Sequence, residues 1–473
     1  MIRSAVAGAG VLLTGPARLL DNAVAAVAPL EVHHWTSRPD LHPPIVTRLH
    51  HTAEASGDHI FLAPLSGPGQ RGSLITDAAG EPVWFRHTSP GVALNFRAAL
   101  YHGKPVLTWW EGATEAGLGV GTHVIMDDTY REIARVPAGG GHPSDLHEFL
   151  ITSRNTALVT SWERVPMDLR QYGGRSNGFV VGGIVQELEL PSGKVLFEWH
   201  SLDHVTLDES HAGPAPTGVW DYFHVNSIEL DRDGNLLVSA RNTWCIYKID
   251  RSNGNVVWRL GGKKSDFEMG PGTVFAWQHD ARYHGEGDQL VSLFDDGAAP
   301  AVQPWSKGLV LSLDHKQKRV TVHRSFVHKP TLLSHALGSM QLLPNGNWLV
   351  GWGTTPYFTE YKRDGDVVFD ATLPHGGQNY RALKFPWVGR PADPPTVVAK
   401  RGYAYVSWNG ATEVAAWKPE AGRIAGSLAA AATERRSGFE TTIRMPLGTR
   451  YVRVSAVDRH GKALGVSKIT RVV

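Results

Sequence analysis

Five residues stand out by type and setting. His147 lies in DLHEF, His224 and Asn226 in HVNS, Arg241 in SARN and His279 in WQHD. Asn95, in NFRAAL, joins them by its position in a repeat. Several imidazoles brought to one axis can hold a transition metal. Such ligands want carboxylate partners on their second nitrogen, and Asp145, Glu148 and Asp280 are adjacent in sequence. The same set can instead bind a tetrahedral oxyanion. Arginine offers a planar fork, and asparagine and histidine add further donors. One neutral imidazole can then attack the anion's central atom as a nucleophile.

What brings these residues together is a repeat of short β-rich runs between about residues 60 and 385, punctuated by Gly and Asp turns. The clearest unit begins at His224 and reads as four strands: HVNSIEL, NLLVSAR, CIYKID and NVVWRL. Asp233-Gly234 and Asn253-Gly254 mark turns, the latter a hairpin signal. The plan recurs from Asn95, His147, His279 and Gly338. Four-strand units spaced by about 50 to 80 residues are the signature of propeller blades. IFLAPLS, GSLITDAAG and EPVWFRH supply three strands with no leading one, whereas RALKFPW is a leading strand with nothing after it. Joining them closes a ring of six blades and removes a sheet edge.

The register then places the chemistry. Second strands carry the aligned pairs Val106-Leu107, Leu158-Val159, Leu237-Val238, Leu290-Val291 and Leu349-Val350. Eleven residues before each pair stand Asn95, His147, Asn226, His279 and Gly338, which are expected to ring the central channel at one level. His224 lies two residues before Asn226 and so shares its face. Four residues after the start of each pair come Trp110, Trp162, Arg241, Phe294 and Gly353, with Arg241 the one charge in the set. Val, Ile or Ala would fill such positions if packing were their whole purpose. The remaining histidines, among them His200, His211 and His328, are expected at the periphery, and His335 in a loop.

Composition narrows the classes further. The 473 residues carry 47 Lys+Arg against 45 Asp+Glu, a net charge of +2, which argues against a nucleic-acid binder. The single Cys245 excludes a disulfide framework and a cysteine-ligated zinc. The first 45 residues read as an N-terminal extension, either a secretory signal or an Ala-rich surface helix, and no other stretch is apolar enough to span a membrane. Residues 46–395 form the expected propeller. Residues 396–473 read as a fibronectin III-like β-sandwich, with Trp408 as an early-strand core tryptophan and Tyr451 as a tyrosine corner. The fold class is all-β throughout.

DLHEFL, DYFHVNSIELDRDGNLLVSARNTWCIYKID, WRLGGKKSDF, WQHDARY and LLPNGNWLVGWG together closely resemble the bacterial arylsulfotransferase (arylsulfate sulfotransferase) family. The likeness runs over roughly residues 35–473, to the actinobacterial branch with a C-terminal Ig-like module. It implies a transferase that moves a sulfuryl group from a phenolic sulfate ester to a phenolic acceptor through a sulfohistidine. Neither a nucleotide sulfate donor nor any cofactor or metal is implied. Carried onto this chain, the nucleophile falls on His279, and the sulfate-cradling set on His147, His224, Asn226 and Arg241. Periplasmic members carry a clear signal and a disulfide; this chain departs in both, and an extracellular or cell-envelope location is favoured over a cytoplasmic one. Two other readings of the same bowl are a cyclase or lyase of aromatic natural products and a non-catalytic binding propeller. Retention of His279 weighs against both.

Overall fold

The computed structural model describes residues 31–285 and 289–473, so the N-terminal stretch read as a signal or surface helix lies outside the described residues up to position 30. Among the described residues the chain is all-β, and its helical segments are three-residue 3-10 turns. No helix among the described residues is long and apolar enough to cross a membrane.

Antiparallel four-strand meanders follow one another along the chain, as the turn spacing predicts. Val225–Leu230, Leu236–Ala240, Cys245–Ile249 and Val256–Gly261 pair in that order. So do His279–His284, Leu290–Asp295, Lys307–Asp314 and Arg319–Phe326, then Ser339–Leu342, Trp348–Gly351, Tyr357–Tyr361 and Val367–Thr372. Upstream, Val92–Tyr101 to Glu132–Val136 and Ser144–Ile151 to Val195–His200 repeat the plan, joined into one sheet where Ser144 faces Gly121. The late strand Leu383–Phe385 pairs with His59–Leu62, Leu383 opposite Phe61, and so leads the sheet that the first three strands leave incomplete. Thr47–His51 adds an outer strand beside Val367–Thr372 that the sequence pattern did not reveal. All five of its side chains are exposed, so it carries no alternation of apolar and polar residues.

Apolar side chains of each sheet meet those of the next. Leu237, Ile246 and Leu260 share a cluster with Val291, Leu309 and Leu311, and Phe294 and Val310 share another with Met340 and Val350. Phe358, Phe369 and Ala371 of the last meander pack against Ile60, Leu62 and Leu74 of the first. The series of inter-sheet cores thereby returns to its start. Each fully buried Leu, Ile or Val contributes about 1.5–3 kcal/mol. The hairpin at Asn253-Gly254 forms, but as a six-residue loop, with the Asp250 carboxylate holding Ser252 and Asn253 and Gly254 at φ +77.

Residues 396–473 form two further sheets, Thr396–Lys400 with Tyr403–Ser407 and Glu440–Arg444, and a larger one built on Ala416–Ile424 and Tyr451–Val457. Both contribute to one apolar cluster. Its fully buried tryptophan is Trp417, donating to Thr441 Oγ1 at 3.0 Å, rather than the expected Trp408, which lies part-exposed and donates to the Asp393 carbonyl.

Candidate active site

The inner strands are where the ladder breaks. Register shifts occur between Leu94 and Arg97, Ser144 and Phe149, Val225 and Ser227, and His279 and Arg282. These bulges contain Asn95, His147 and Asn226, and one begins at His279. A bulge turns a side chain away from strict alternation and is common next to active sites. Asn95, His224 and Asp280 take the left-handed φ values 54, 56 and 57, a region in which Asn, Asp and His are enriched among non-glycine residues. Gly338, the remaining ring position, has φ +102, and a Cβ there would come within 2.3 Å of the Phe294 ring. Phe294 fills the space a side chain would need.

The register brings the three histidines together. The rings of His147 and His224 meet edge to face with centroids 4.8 Å apart, and those of His147 and His279 lie 6.5 Å apart. Each has its own carboxylate at Nδ1: Asp145 for His147 at 2.6 Å, Asp221 for His224 at 2.5 Å and Asp296 for His279 at 2.7 Å. With Nδ1 committed in this way, Nε2 is the nitrogen left for chemistry. Of the carboxylates that sequence proximity suggested, Asp145 alone pairs with an imidazole. Glu148 and Asp280 face arginines instead. Asp221 and Asp296 escaped notice because one stands in a loop-side strand and the other seventeen residues beyond its histidine.

Burial sets the protonation of the cluster. His147 and His279 are almost wholly buried, whereas His224 is partly open. Burial holds His147 below the ordinary imidazole value, against the pull of Asp145. Burial, then Arg241 and the neighbouring imidazoles, hold His279 well below it, so His279 is neutral at physiological pH. Burial lifts Asp296 well above the usual carboxylate range, with Arg241 opposing. The His279–Asp296 pair thus resists a charge on its imidazole and has a high proton affinity on its carboxylate.

Arg241 is partly buried beside this cluster, its guanidinium 4.8 Å over the Trp277 ring. It donates to Asn242 Oδ1 at 2.9 Å and to the His335 carbonyl at 3.2 Å. His335 itself is exposed, as a loop residue should be. Asn226 is fully buried, with Nδ2 donating to the Gln278 carbonyl at 2.6 Å. Asn95 is engaged at both ends, donating to the His147 carbonyl at 3.5 Å and accepting from Arg381 at 2.9 Å. The extended hairpin of Lys104–Glu115 and Leu118–Asp127 leans over the cluster: a Cβ on Gly117 would stand 3.3 Å from His224 Cε1, and the Gly119 amide donates to Asp145.

Beneath the imidazoles lies a layer that sequence reasoning missed. Tyr380 directs its hydroxyl at the carbonyls of His147 and Asn226, 3.1 and 3.3 Å away, and its ring stands edge-on to His147 and His279. Arg381 donates to Glu148 at 2.9 Å and to the Asn226 carbonyl at 3.1 Å, and Arg282 and Arg97 close on Glu148 at 2.5 and 3.7 Å. Asp280 accepts from Arg282 at 2.7 Å. Of the histidines expected at the periphery, His328 is instead buried, its Nδ1 at the Pro330 carbonyl.

A search of curated proteins finds no match to the chain. Among solved structures it is similar to a Bacteroides caccae protein of unknown function, at 14% identity over 69% of this chain and 98% of that one, with a TM-score of 0.43. TolB from Acinetobacter baumannii is similar at 14% identity over 69% of this chain and 66% of its own, with a TM-score of 0.40. The extracellular domain of the putative hybrid two-component system BT3049 from B. thetaiotaomicron matches at 11% identity over 94% and 57%, with a TM-score of 0.37. The family model described as Arylsulfotransferase (ASST) matches residues 97–373. That span runs from the bulge after Asn95 to the end of the last meander and holds all three histidines and Arg241. Covering more than half of the sequence, it shows that the chain belongs to the arylsulfotransferase family.

Proposed function

We propose that residues 46–395 are a six-bladed propeller, followed by a fibronectin III-like module, and that the propeller is an aryl sulfate sulfotransferase. It moves a sulfuryl group from a phenolic sulfate ester to a phenolic acceptor through a sulfohistidine on His279, without a nucleotide sulfate donor. The observation that carries this reading is the trio of imidazoles, each oriented by its own carboxylate, with the most buried of them neutral and Arg241 alongside.

The tautomer in which Nδ1–H donates to Asp296 exposes the Nε2 lone pair of His279. That lone pair attacks sulfur in line with the aryl oxygen. The N–S bond forms, the S–O bond breaks, and its electron pair leaves on the phenolate. Positive charge reaches the imidazole as the bond forms, and Asp296, with its raised proton affinity, takes up the Nδ1 proton. In the second half the acceptor phenol gives its proton to His147 or His224 and attacks sulfur. The N–S electron pair returns to Nε2, and Asp296 returns its proton. A loose sulfuryl transition state spreads charge over three peripheral oxygens, as a phosphoryl one does, so positioned donors supply most of the stabilisation. Arg241 and Asn226 are the donors assigned to those oxygens. Asn95 positions the site through Arg381 and the His147 backbone.

Incubation with 4-nitrophenyl sulfate, without acceptor, is expected to release one equivalent of 4-nitrophenolate in a burst and leave the His279 peptide heavier by one SO3. Neutral His279 is the reactive form and its value is depressed. Asp296 must also be ionised to take the Nδ1 proton, and its value is raised. The burst rate, followed by quenched flow, should therefore decline as pH falls and Asp296 is protonated, above the ordinary aspartate value of about 3.9. A stoichiometric burst without a labelled His279, or a rate that holds level down to about pH 3.9, contradicts the proposal.

A further inference from the structure

Away from the channel, one cluster has the makings of a metal site. His142, Glu198 and His200 each offer a ligand atom, all within 4.8 Å of one another. Glu198 and His200 stand two residues apart on the outer strand Val195–His200 and so project from the same face. His142 comes from the Gly-rich loop that leads into Ser144–Ile151. His200 Nε2 already lies 2.9 Å from Glu198 Oε1, while its Nδ1 lies 2.7 Å from Glu163 Oε1. Glu163 thus occupies the place of the carboxylate that fixes a metal-binding histidine from behind.

The loop is built to hold His142 where it is. Gln186 clamps Gly139 from both sides, its Oε1 accepting from the Gly139 amide at 2.8 Å and its Nε2 donating to the Gly139 carbonyl at 3.1 Å. The same Nε2 donates to Glu198 Oε2 at 2.5 Å, so one amide fixes both the loop and the carboxylate. Gly140 has φ +67, and a Cβ there would stand 3.1 Å from the His142 ring and 3.6 Å from Glu198 Oε2. Both groups border the space that this glycine leaves open.

We propose that His142, Glu198 and His200 bind a divalent transition metal of the zinc type, with Glu163 and Gln186 as its supporting partners. Two imidazoles and a carboxylate are a zinc ligand set that leaves a fourth position for water. Zinc bonds of about 2.0–2.2 Å require the partly exposed His142 ring to close on the other two. The row Ser144, Ser161, Ile184 and His200 runs straight across the sheet. The metal would therefore sit on the outer strand, at the end of the sheet that carries Asp145 and His147. Binding there would staple the loop preceding the DLHEF strand to the sheet's outer edge.

Titration of the purified full chain with zinc chloride should give one saturable site, and anomalous diffraction from a zinc-soaked crystal should place the ion between these three residues. His142→Ala and His200→Ala should abolish that site, and Glu163→Gln should weaken it by about 10- to 100-fold, whereas His279→Ala should leave it intact. Zinc should also raise the Tm of the parent and not of His200→Ala. Anomalous density at the channel imidazoles alone, no saturable binding, or affinity unchanged in His142→Ala and His200→Ala overturns the proposal.

Discussion

His279→Ala is expected to lower turnover of 4-nitrophenyl sulfate with a phenolic acceptor by at least about 10⁴-fold, the scale on which loss of an enzyme nucleophile is felt. The substitution removes the atom that bonds to sulfur in both half-reactions, so no burst of phenolate and no sulfated peptide should remain. Loss of activity alone does not separate a missing nucleophile from a disturbed site, because His279 is buried and bonded to Asp296. Two further readings do. Free imidazole should enter the cavity left by the ring and restore part of the donor cleavage, emerging as sulfated imidazole. Denaturant unfolding should meanwhile change by an amount typical of a single substitution, about 0.5–3 kcal/mol. By contrast, His147→Ala and His224→Ala keep the nucleophile, and each should slow transfer while leaving a sulfated His279 peptide detectable. A His279→Ala protein that transfers sulfate as fast as the parent ends the sulfohistidine proposal.

The imidazole cluster was legible because a short hairpin joins each inner strand to the second strand that carries the apolar pair. Counting back from Leu158, Leu237 and Leu290 reaches His147, Asn226 and His279 across units that share little else. The bulges at these positions left no trace in the alternation and differ in size: Ser144 to Phe149 advances five residues against two on its partner, Val225 to Ser227 two against one, and His279 to Arg282 three against two. The partners of the imidazoles were harder to read. Asp145 neighbours its histidine, but Asp296 reaches His279 from the end of the adjacent strand. Tyr380 and Arg381 lay beyond such counting altogether. They precede Leu383–Phe385, whose neighbour His59–Leu62 lies near the other end of the chain, so no fixed spacing leads to them. Chain closure places them at the centre. Trp408 follows the end of Tyr403–Ser407 and packs half-buried against the sandwich core, whereas Trp417 enters that core from the next strand.

Glu148→Gln should be the most destabilising single change in the site, costing about 3–5 kcal/mol of unfolding free energy, the range for breaking one partner out of a buried ion pair. Glu148 is fully buried and meets Arg381, Arg282 and Arg97. Burial on its own would raise its proton affinity, but the three guanidiniums outweigh burial and hold the carboxyl well below the usual range. A neutral amide of the same shape leaves those cations with Asp280 as their remaining close carboxylate in the layer. The double variant Glu148→Gln/Arg381→Gln should recover at least about 1 kcal/mol relative to additivity, as contacting charges do. The pH dependence gives an independent check. Because the folded-state value is depressed, the stabilisation is fully present above the unfolded glutamate value of about 4.3 and is lost as pH falls below it toward the folded value. The gap between parent and Glu148→Gln in urea unfolding should therefore be constant from neutral pH down to about 5 and narrow below 4. A gap under about 1 kcal/mol at pH 7, or one that widens in acid, would mean that the arginines are satisfied without Glu148. His147 precedes Glu148, and its carbonyl anchors both Tyr380 and Asn95. Loss of this charge should therefore loosen the imidazoles above it and reach the chemistry through their positions.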